Sequence, residues 1–314
     1  MQEIEYLTGA HQKTALLVAC ALITLAFREP SCAQGILAQK QSVTTPGQSI
    51  SAQTQDMEAT LDESYRAMYN LQFDQAFKKA EEAKAMAKDD PMPWVAQASA
   101  VLFREFDRLQ ILRSEMFGTD EHFSDGGALI WNTAAKAEFE SAISGAEKLA
   151  HERLRRDKHG INGLFALTLT NGLQADDAAL ISKKKFSALS FVKTSNGYAE
   201  RLLARAPDYY DAYLATGLGK YIIGGKAAPV RWILRLGGLK GDQEEGLKEL
   251  LLADQHGRYL APFARILLAF NDLRHKNKVE ARKKLEWLHE QFPNNPLFLQ
   301  EIAKLDRPST AAGQ

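Results

Sequence analysis

The fold is decided by residues 263–293, FARILLAFNDLRHKNKVEARKKLEWLHEQFP, where two helical stretches follow each other across a short polar turn. Apolar residues recur at helical spacing in both stretches, at Phe263, Ile266, Leu267 and Phe270 and then at Ala281, Leu285 and Leu288. No segment elsewhere alternates convincingly with the period of two that strands require. The chain is therefore predicted to be all-α, with a polar turn between paired helices.

The spacing of the residues that pack such a pair together is specific. Its members are Leu268, Ala269, Ala281, Leu285, Leu288 and Pro293. Partial matches occur at Pro207, Tyr213 and Gly217, and at Phe73, Ala76, Ala80 and Ala83. The pattern resembles the tetratricopeptide repeat, in which small residues let two helices pack closely. The matches are unevenly spaced, so we expect an irregular tetratricopeptide-like α-solenoid of about four or five helix pairs. An irregular bundle of unrelated amphipathic helices is the alternative.

A second resemblance covers the stretch from Tyr210 to Asn271. It contains an aromatic, glycine-bearing helix, a proline-led apolar helix, and Gly238-x-x-Gly241-Asp242. The stretch resembles the tetratricopeptide-like family that includes the yeast inclusion-body clearance protein. That resemblance implies a helical repeat without catalytic residues and an adaptor role near lipid surfaces. A weaker similarity to periplasmic tetratricopeptide partners of bacterial solute transporters implies hollows that take an apolar ligand.

The N-terminal segment has the features of a secretion signal. The run TALLVACALITLAF, residues 14–27, is uncharged and apolar, and Ser31-Cys32-Ala33 matches a cleavage site. We predict that residues 1–33 are removed; lipidation at Cys20 and an uncleaved anchor are the alternatives. Both cysteines lie in this segment, so the mature chain has no thiol, which suits an oxidising compartment. The predicted location is the periplasm, with membrane association as an alternative.

The remaining chain divides by composition. Residues 34–56 are rich in Gln, Ser and Thr and are predicted to be a flexible linker. Residues 57–306 carry the helical period and form the tetratricopeptide-like domain, and residues 307–314 are predicted to be a disordered tail.

The glycine-rich stretch GGLKGDQEEG, residues 237–246, raises the question of a phosphate-binding loop. A phosphate loop of the Walker type needs Gly-Lys followed by Ser or Thr, whereas Gly241 is followed by Asp242. We interpret the stretch as a joint between helices, with Asp242 capping the second helix and Glu245 completing a capping box.

The sequence offers no catalytic constellation. Lysine plus arginine and aspartate plus glutamate number 39 each, so no global charge draws the chain to nucleic acid. None of the seven histidines has metal-ligand spacing. The pairs Asp89-Asp90 and Asp176-Asp177 are assigned to helix ends, where we expect their charge to favour the helix dipole. We therefore predict a protein that is not an enzyme and has no catalytic residue, metal or cofactor.

Two groups of residues are candidates for binding. Tyr213, Lys220 and Tyr221 are predicted to lie on the inner wall, with core packing as the alternative. The short apolar helix VRWILRL, residues 230–236, contributes Arg231, Trp232 and Arg235. Because this helix is apolar nearly all round, it requires burial in the hollow, in a partner or at a membrane surface.

These observations predict an exported scaffold that binds a protein partner of unknown identity through its concave face. The alternative is a periplasmic carrier of an apolar small molecule or lipid. Peripheral association with a membrane is compatible with either role.

Overall fold

Eleven α-helices occur in the part of the chain that the computed structural model describes, namely residues 46–112, 128–226, 238 and 240–306. In chain order they are α1 (Pro46–Tyr69), α2 (Phe73–Met86), α3 (Met92–Arg108), α4 (Thr133–Arg156), α5 (Ile161–Asp176), α6 (Lys185–Leu203), α7 (Tyr213–Gly224), α8 (Gln243–His256), α9 (Ala261–Arg274), α10 (Lys278–Gln291) and α11 (Pro296–Leu305). A π-helical segment, Asp177–Ile181, continues α5, and a 3₁₀ turn, Tyr210–Ala212, precedes α7. These residues include no strand, which confirms the all-α prediction.

Each helix packs against the next one along the chain. The most extensive contacts are those within the pairs α1/α2, α3/α4, α5/α6, α7/α8 and α9/α10, and α11 packs on α10. Helix α3 also contacts α1 and α5, so neighbouring pairs stack on one another. Sequential pairing of this kind is consistent with a helical repeat.

Small residues form the contact faces that the repeat pattern predicts. In α2, Ala76, Ala80 and Ala83 are fully buried. In α9 and α10, Ala269 and Ala281 are fully buried as well. Side chains of this size allow paired helices to approach closely.

Polar caps account for several helix boundaries. The side chain of Asn132 accepts hydrogen bonds from two backbone N–H groups at the start of α4. Asp242 accepts one from the backbone N–H of Glu245 at 3.1 Å, which confirms the predicted cap. Asn277 and Asn295 cap α10 and α11 in the same way, since each side chain satisfies a donor without a partner inside the helix.

Helix α1 begins at Pro46, inside the stretch that the sequence predicts to be a linker. Proline is favoured in the first turn of a helix because its ring fixes φ and its missing N–H is not needed there. The predicted signal, residues 1–33, and the predicted tail, residues 307–314, lie outside the described residues. Of the helices in the described ranges, none is both long and apolar enough to cross a bilayer.

The last helices contact the first. The hydroxyl of Tyr69, at the end of α1, donates to the carbonyl oxygen of Tyr259 at 3.0 Å. The side-chain amide of Asn295 donates to the carbonyl oxygen of Tyr69 at 2.9 Å, and the Tyr69 ring packs on Phe292. The helix pairs therefore wrap around until the final pair meets the first.

The buried carboxylate of Asp211 fixes the segment that makes this contact. Its two oxygens accept hydrogen bonds from the backbone N–H groups of Arg258 at 3.0 Å, Tyr259 at 3.1 Å and Leu260 at 2.8 Å. The side chain is only 5 % exposed. Burial raises the pKa of Asp211, and the three donors partly oppose that effect. The carboxylate thus joins the start of α7 to the start of α9.

We expect Asp211→Ala to lower the free energy of unfolding by about 3 kcal/mol or more, because three backbone N–H donors, two of them buried, lose their acceptor. Asp211→Asn keeps the oxygen that serves two of the three donors, so its loss should be about 1 kcal/mol. Urea unfolding followed by circular dichroism measures both. Equal losses in the two variants would show that the hydrogen bonds do not fix this segment.

Candidate functional site

A cavity of about 240 Å³ lies inside the ring of helices. All six odd-numbered helices contribute to its wall, and α8 and α10 contribute to it as well. Representative lining residues are Tyr69, Phe103, Asp176, Tyr221, Phe263 and Phe298. The volume is just below the range of roughly 300–1,000 Å³ that is typical of small-molecule pockets.

The wall of the cavity is mostly aromatic and aliphatic. Phe103 of α3 meets Phe263 of α9 with their ring centroids 5.6 Å apart, edge to face. Ile266 and Phe270 follow one and two turns along α9, so one face of that helix points at the cavity. Such a wall suits an apolar occupant, because it gives water few hydrogen-bond partners.

Helices α7 and α8 reach the cavity through an unusually close contact between glycines. A Cβ atom on Gly246 would lie 2.6 Å from the backbone nitrogen of Tyr221 and 2.7 Å from the carbonyl oxygen of Gly217. A Cβ on Gly217 would lie 2.9 Å from the carbonyl oxygen of Gly246. The glycines therefore serve helix packing, and this packing sets the position of Tyr221 in the cavity wall.

We expect Gly246→Ala to cost about 1–3 kcal/mol of unfolding free energy, because the new methyl group meets backbone that cannot move away freely. Gly197→Ala in α6 is the matched control, since nothing lies within 4 Å of its added Cβ. That control should stabilise the protein by about 0.5–1 kcal/mol, because alanine is the better helix former. Thermal unfolding compares the two, and equal behaviour would contradict the close contact.

Most polar groups in the cavity wall already have partners. The hydroxyl of Tyr221 donates to Oδ1 of Asn271 at 2.7 Å. Glu301 accepts from Nζ of Lys304 at 2.6 Å. Arg274, on the exposed side of α9, has an interaction of its own. These groups leave little unsatisfied hydrogen-bonding capacity facing the cavity.

Asp176 is different, because its carboxyl makes no hydrogen bond or ion pair within the described part of the chain. The neighbouring Asp177 accepts from Nε1 of Trp131 at 2.8 Å and from the hydroxyl of Ser182 at 3.0 Å. Consecutive carboxylates thus occupy opposite environments, one satisfied and the other facing apolar side chains.

The position of this acidic pair corrects the prediction about the helix dipole. Asp176 is the last residue of α5, and Asp177 begins the π-helical segment that follows. Negative charge is disfavoured near a helix C-terminus, and α5 has no basic residue in its last turn. The helix dipole therefore does not stabilise the pair, and it does not explain why an acidic residue occupies position 176.

Burial raises the pKa of Asp176 to about 7, and no charged neighbour contributes to this shift. The side chain nevertheless keeps some accessible surface. The two observations agree if that surface faces the cavity, since Asp176 lines it. The carboxyl is therefore close to half-ionised near neutral pH.

We expect Asp176→Asn to raise the free energy of unfolding at about pH 8 by roughly 1–3 kcal/mol. The full pKa shift of Asp176 would correspond to a larger value, but solvent reaches part of this side chain and weakens the effect. The folded-state pKa lies above the unfolded value of about 3.9, so the wild type loses stability as pH rises from about 4 to 7. Urea unfolding across this range should show a larger loss in the wild type than in the variant, because the raised pKa of Asp211 acts equally in both. Parallel curves would exclude a buried, unpartnered carboxyl.

Of the predicted binding residues that the structure describes, one lines the cavity and two do not. Tyr221 lines the cavity. Tyr213 does not line it and donates its hydroxyl to the carbonyl oxygen of Pro207 at 3.0 Å. Lys220 also lies outside the lining and pairs with Glu249 at 2.6 Å. The remaining three candidates, Arg231, Trp232 and Arg235, lie outside the described residues.

Sequence reasoning missed Asp176, although a signal for it exists. Asp176, Ala179 and Leu180 all line the cavity, and they are spaced three and four residues apart. This spacing places them on one helical face, so an acidic residue shares a face with apolar ones.

No protein-family model, no curated protein and no solved structure matches this chain. Across the described ranges, no group of three or more His, Cys, Asp or Glu side chains is arranged to hold a metal ion.

Proposed function

We propose that the protein binds an apolar small molecule or lipid inside the central cavity and acts as a non-catalytic carrier. The observation that carries this proposal is the apolar wall, built by residues from α1 to α11 around one internal space. Pockets that take small ligands combine such a wall with a few polar groups that orient the ligand. Asp176 supplies a polar group of that kind here.

The energetic cost of an empty cavity supports the proposal. The cavity is not sealed from solvent, since its lining residues Ile222 and Arg274 are exposed. Its apolar wall therefore contacts water when no ligand is bound, and covering that wall is favourable by about 25 cal/mol for each Å² removed from water. An apolar ligand restores the lost dispersion contacts and removes its own surface from water.

The same helices fit an irregular tetratricopeptide-like solenoid, which we propose as the origin of the cavity. In tetratricopeptide folds the first helix of each pair lines the inner wall. All the odd-numbered helices here contribute to the cavity, and they are the first members of their pairs apart from the terminal α11. A solenoid wound tightly enough for its first and last helices to meet surrounds a central space.

A protein-binding scaffold remains the second candidate. Two large apolar side chains favour it, because Phe186 is 91 % exposed and Ile130 is 83 % exposed. Neither residue lines the cavity. Export to the periplasm, with residues 1–33 as the signal, is part of both proposals and rests on the sequence alone.

We expect Ala179→Phe to weaken the binding of decanol, a neutral apolar probe, at least about tenfold, because the added ring occupies space that the ligand needs. Ala179 lines the cavity and is not fully buried, so the ring can enter the cavity without disrupting the helix. Isothermal titration calorimetry measures the affinity, and a negative heat-capacity change should accompany binding.

The matched control is Ala137→Phe, which adds the same ring at an exposed position of α4. It should leave decanol binding and the melting temperature unchanged. Equal affinities in the two variants would place the binding site elsewhere. Absence of decanol binding, together with no ligand in native mass spectra of protein purified from its own host, would overturn the carrier role.

A further inference from the structure

We infer that the ligand of the central cavity is an amphipathic amine, an apolar molecule whose single protonated nitrogen pairs with Asp176. This inference rests on the proposed ligand-binding function and adds the chemical class of the ligand. It starts from one geometric fact, namely that an acidic side chain without a partner among the described residues lines a mostly apolar space.

The other polar groups around the cavity cannot take the role of Asp176. Tyr221 and Asn271 satisfy each other, and Glu301 is paired with Lys304. The side-chain amide of Asn295 is committed to the carbonyl oxygen of Tyr69. Among the described lining residues, Asp176 alone is an ionisable group with a free side chain.

The charges around the cavity favour a cation over an anion beside Asp176. The ionisable lining groups on the surrounding helices are Tyr69 of α1, Tyr221 of α7, Arg274 of α9 and Glu301 of α11. Burial keeps Tyr69 neutral by raising its pKa. None of these groups contributes a charge effect to the pKa of Asp176. A ligand ammonium is therefore the missing counter-ion, whereas a carboxylate would repel the ionised aspartate.

Binding of such a cation has a consequence that a neutral ligand lacks. An aliphatic ammonium resembles lysine, whose pKa is about 10.4, so it stays protonated near neutral pH. Its charge favours ionised Asp176 and lowers the raised pKa of that carboxyl. Near pH 7, where the free carboxyl is about half-protonated, binding therefore releases a proton from Asp176 to the buffer.

The test compares decylamine, decanol and decanoate by calorimetry on the full mature protein; each has ten carbon atoms, and their polar groups are positive, neutral and negative, respectively. At about pH 8 we expect decylamine to bind about tenfold to hundredfold more tightly than decanol, because a charge-assisted hydrogen bond forms in an apolar site. Asp176→Asn should remove this preference and still bind decanol. Asp208→Asn, which removes an exposed carboxylate, should keep it.

Proton release provides a second readout. Near pH 7, titrations in buffers of different ionisation enthalpy should show about half a proton released per decylamine bound, and none in Asp176→Asn. Stronger binding of decanoate, or a preference for decylamine that survives in Asp176→Asn, would overturn the inference and leave the carrier role intact. Failure of all three probes to bind would instead contradict the proposed function itself.

Discussion

The architecture depends on a single buried carboxylate. The Asp211 carboxylate accepts hydrogen bonds from three consecutive backbone N–H groups, those of residues 258–260. This segment contacts the first helix pair through Tyr259. Gly257 permits this approach, because a Cβ there would lie 2.8 Å from the Asp211 carboxylate. Arg258 continues the connection by pairing with Asp62 of α1 at 2.8 Å. A local contact between α7 and α9 therefore brings helices together that are nearly 200 residues apart in sequence.

Once the first and last helices meet, the sizes of the side chains determine what lies between the helix pairs. Small residues occupy contacts between paired helices, such as Ala80 in α2 and Gly246 in α8, so each pair is thin where its helices cross. Large aromatic side chains, such as Phe103 and Phe263, occupy the inner face and hold the helices of opposite pairs apart. A closed ring with this distribution leaves a central space whose wall is apolar.

The sequence was sufficient to predict the local structure, but it did not predict the contact between the first and last helices. The helical period and the cap at Asp242 depend on residues a few positions apart, and these predictions are confirmed in the described ranges. The hydrogen bond between Tyr69 and Tyr259 joins residues 190 positions apart, and no periodic pattern in the sequence predicts it. Asp176 was missed for a related reason. Its position at a helix end was visible, but the apolar surroundings of its side chain come from helices elsewhere in the chain.

The cavity and the carboxylate within it present the same physical problem. Each lowers stability when left alone, the cavity through lost packing and Asp176 through lost solvation. The next carboxylate along the chain, Asp177, does not lack partners, because Trp131 and Ser182 donate hydrogen bonds to it. At Asp176 no protein group among the described residues does so, although the position lies beside several helices. An apolar ligand with one positive charge offsets both costs in a single binding event, and for this reason the volume and the charge are best explained together.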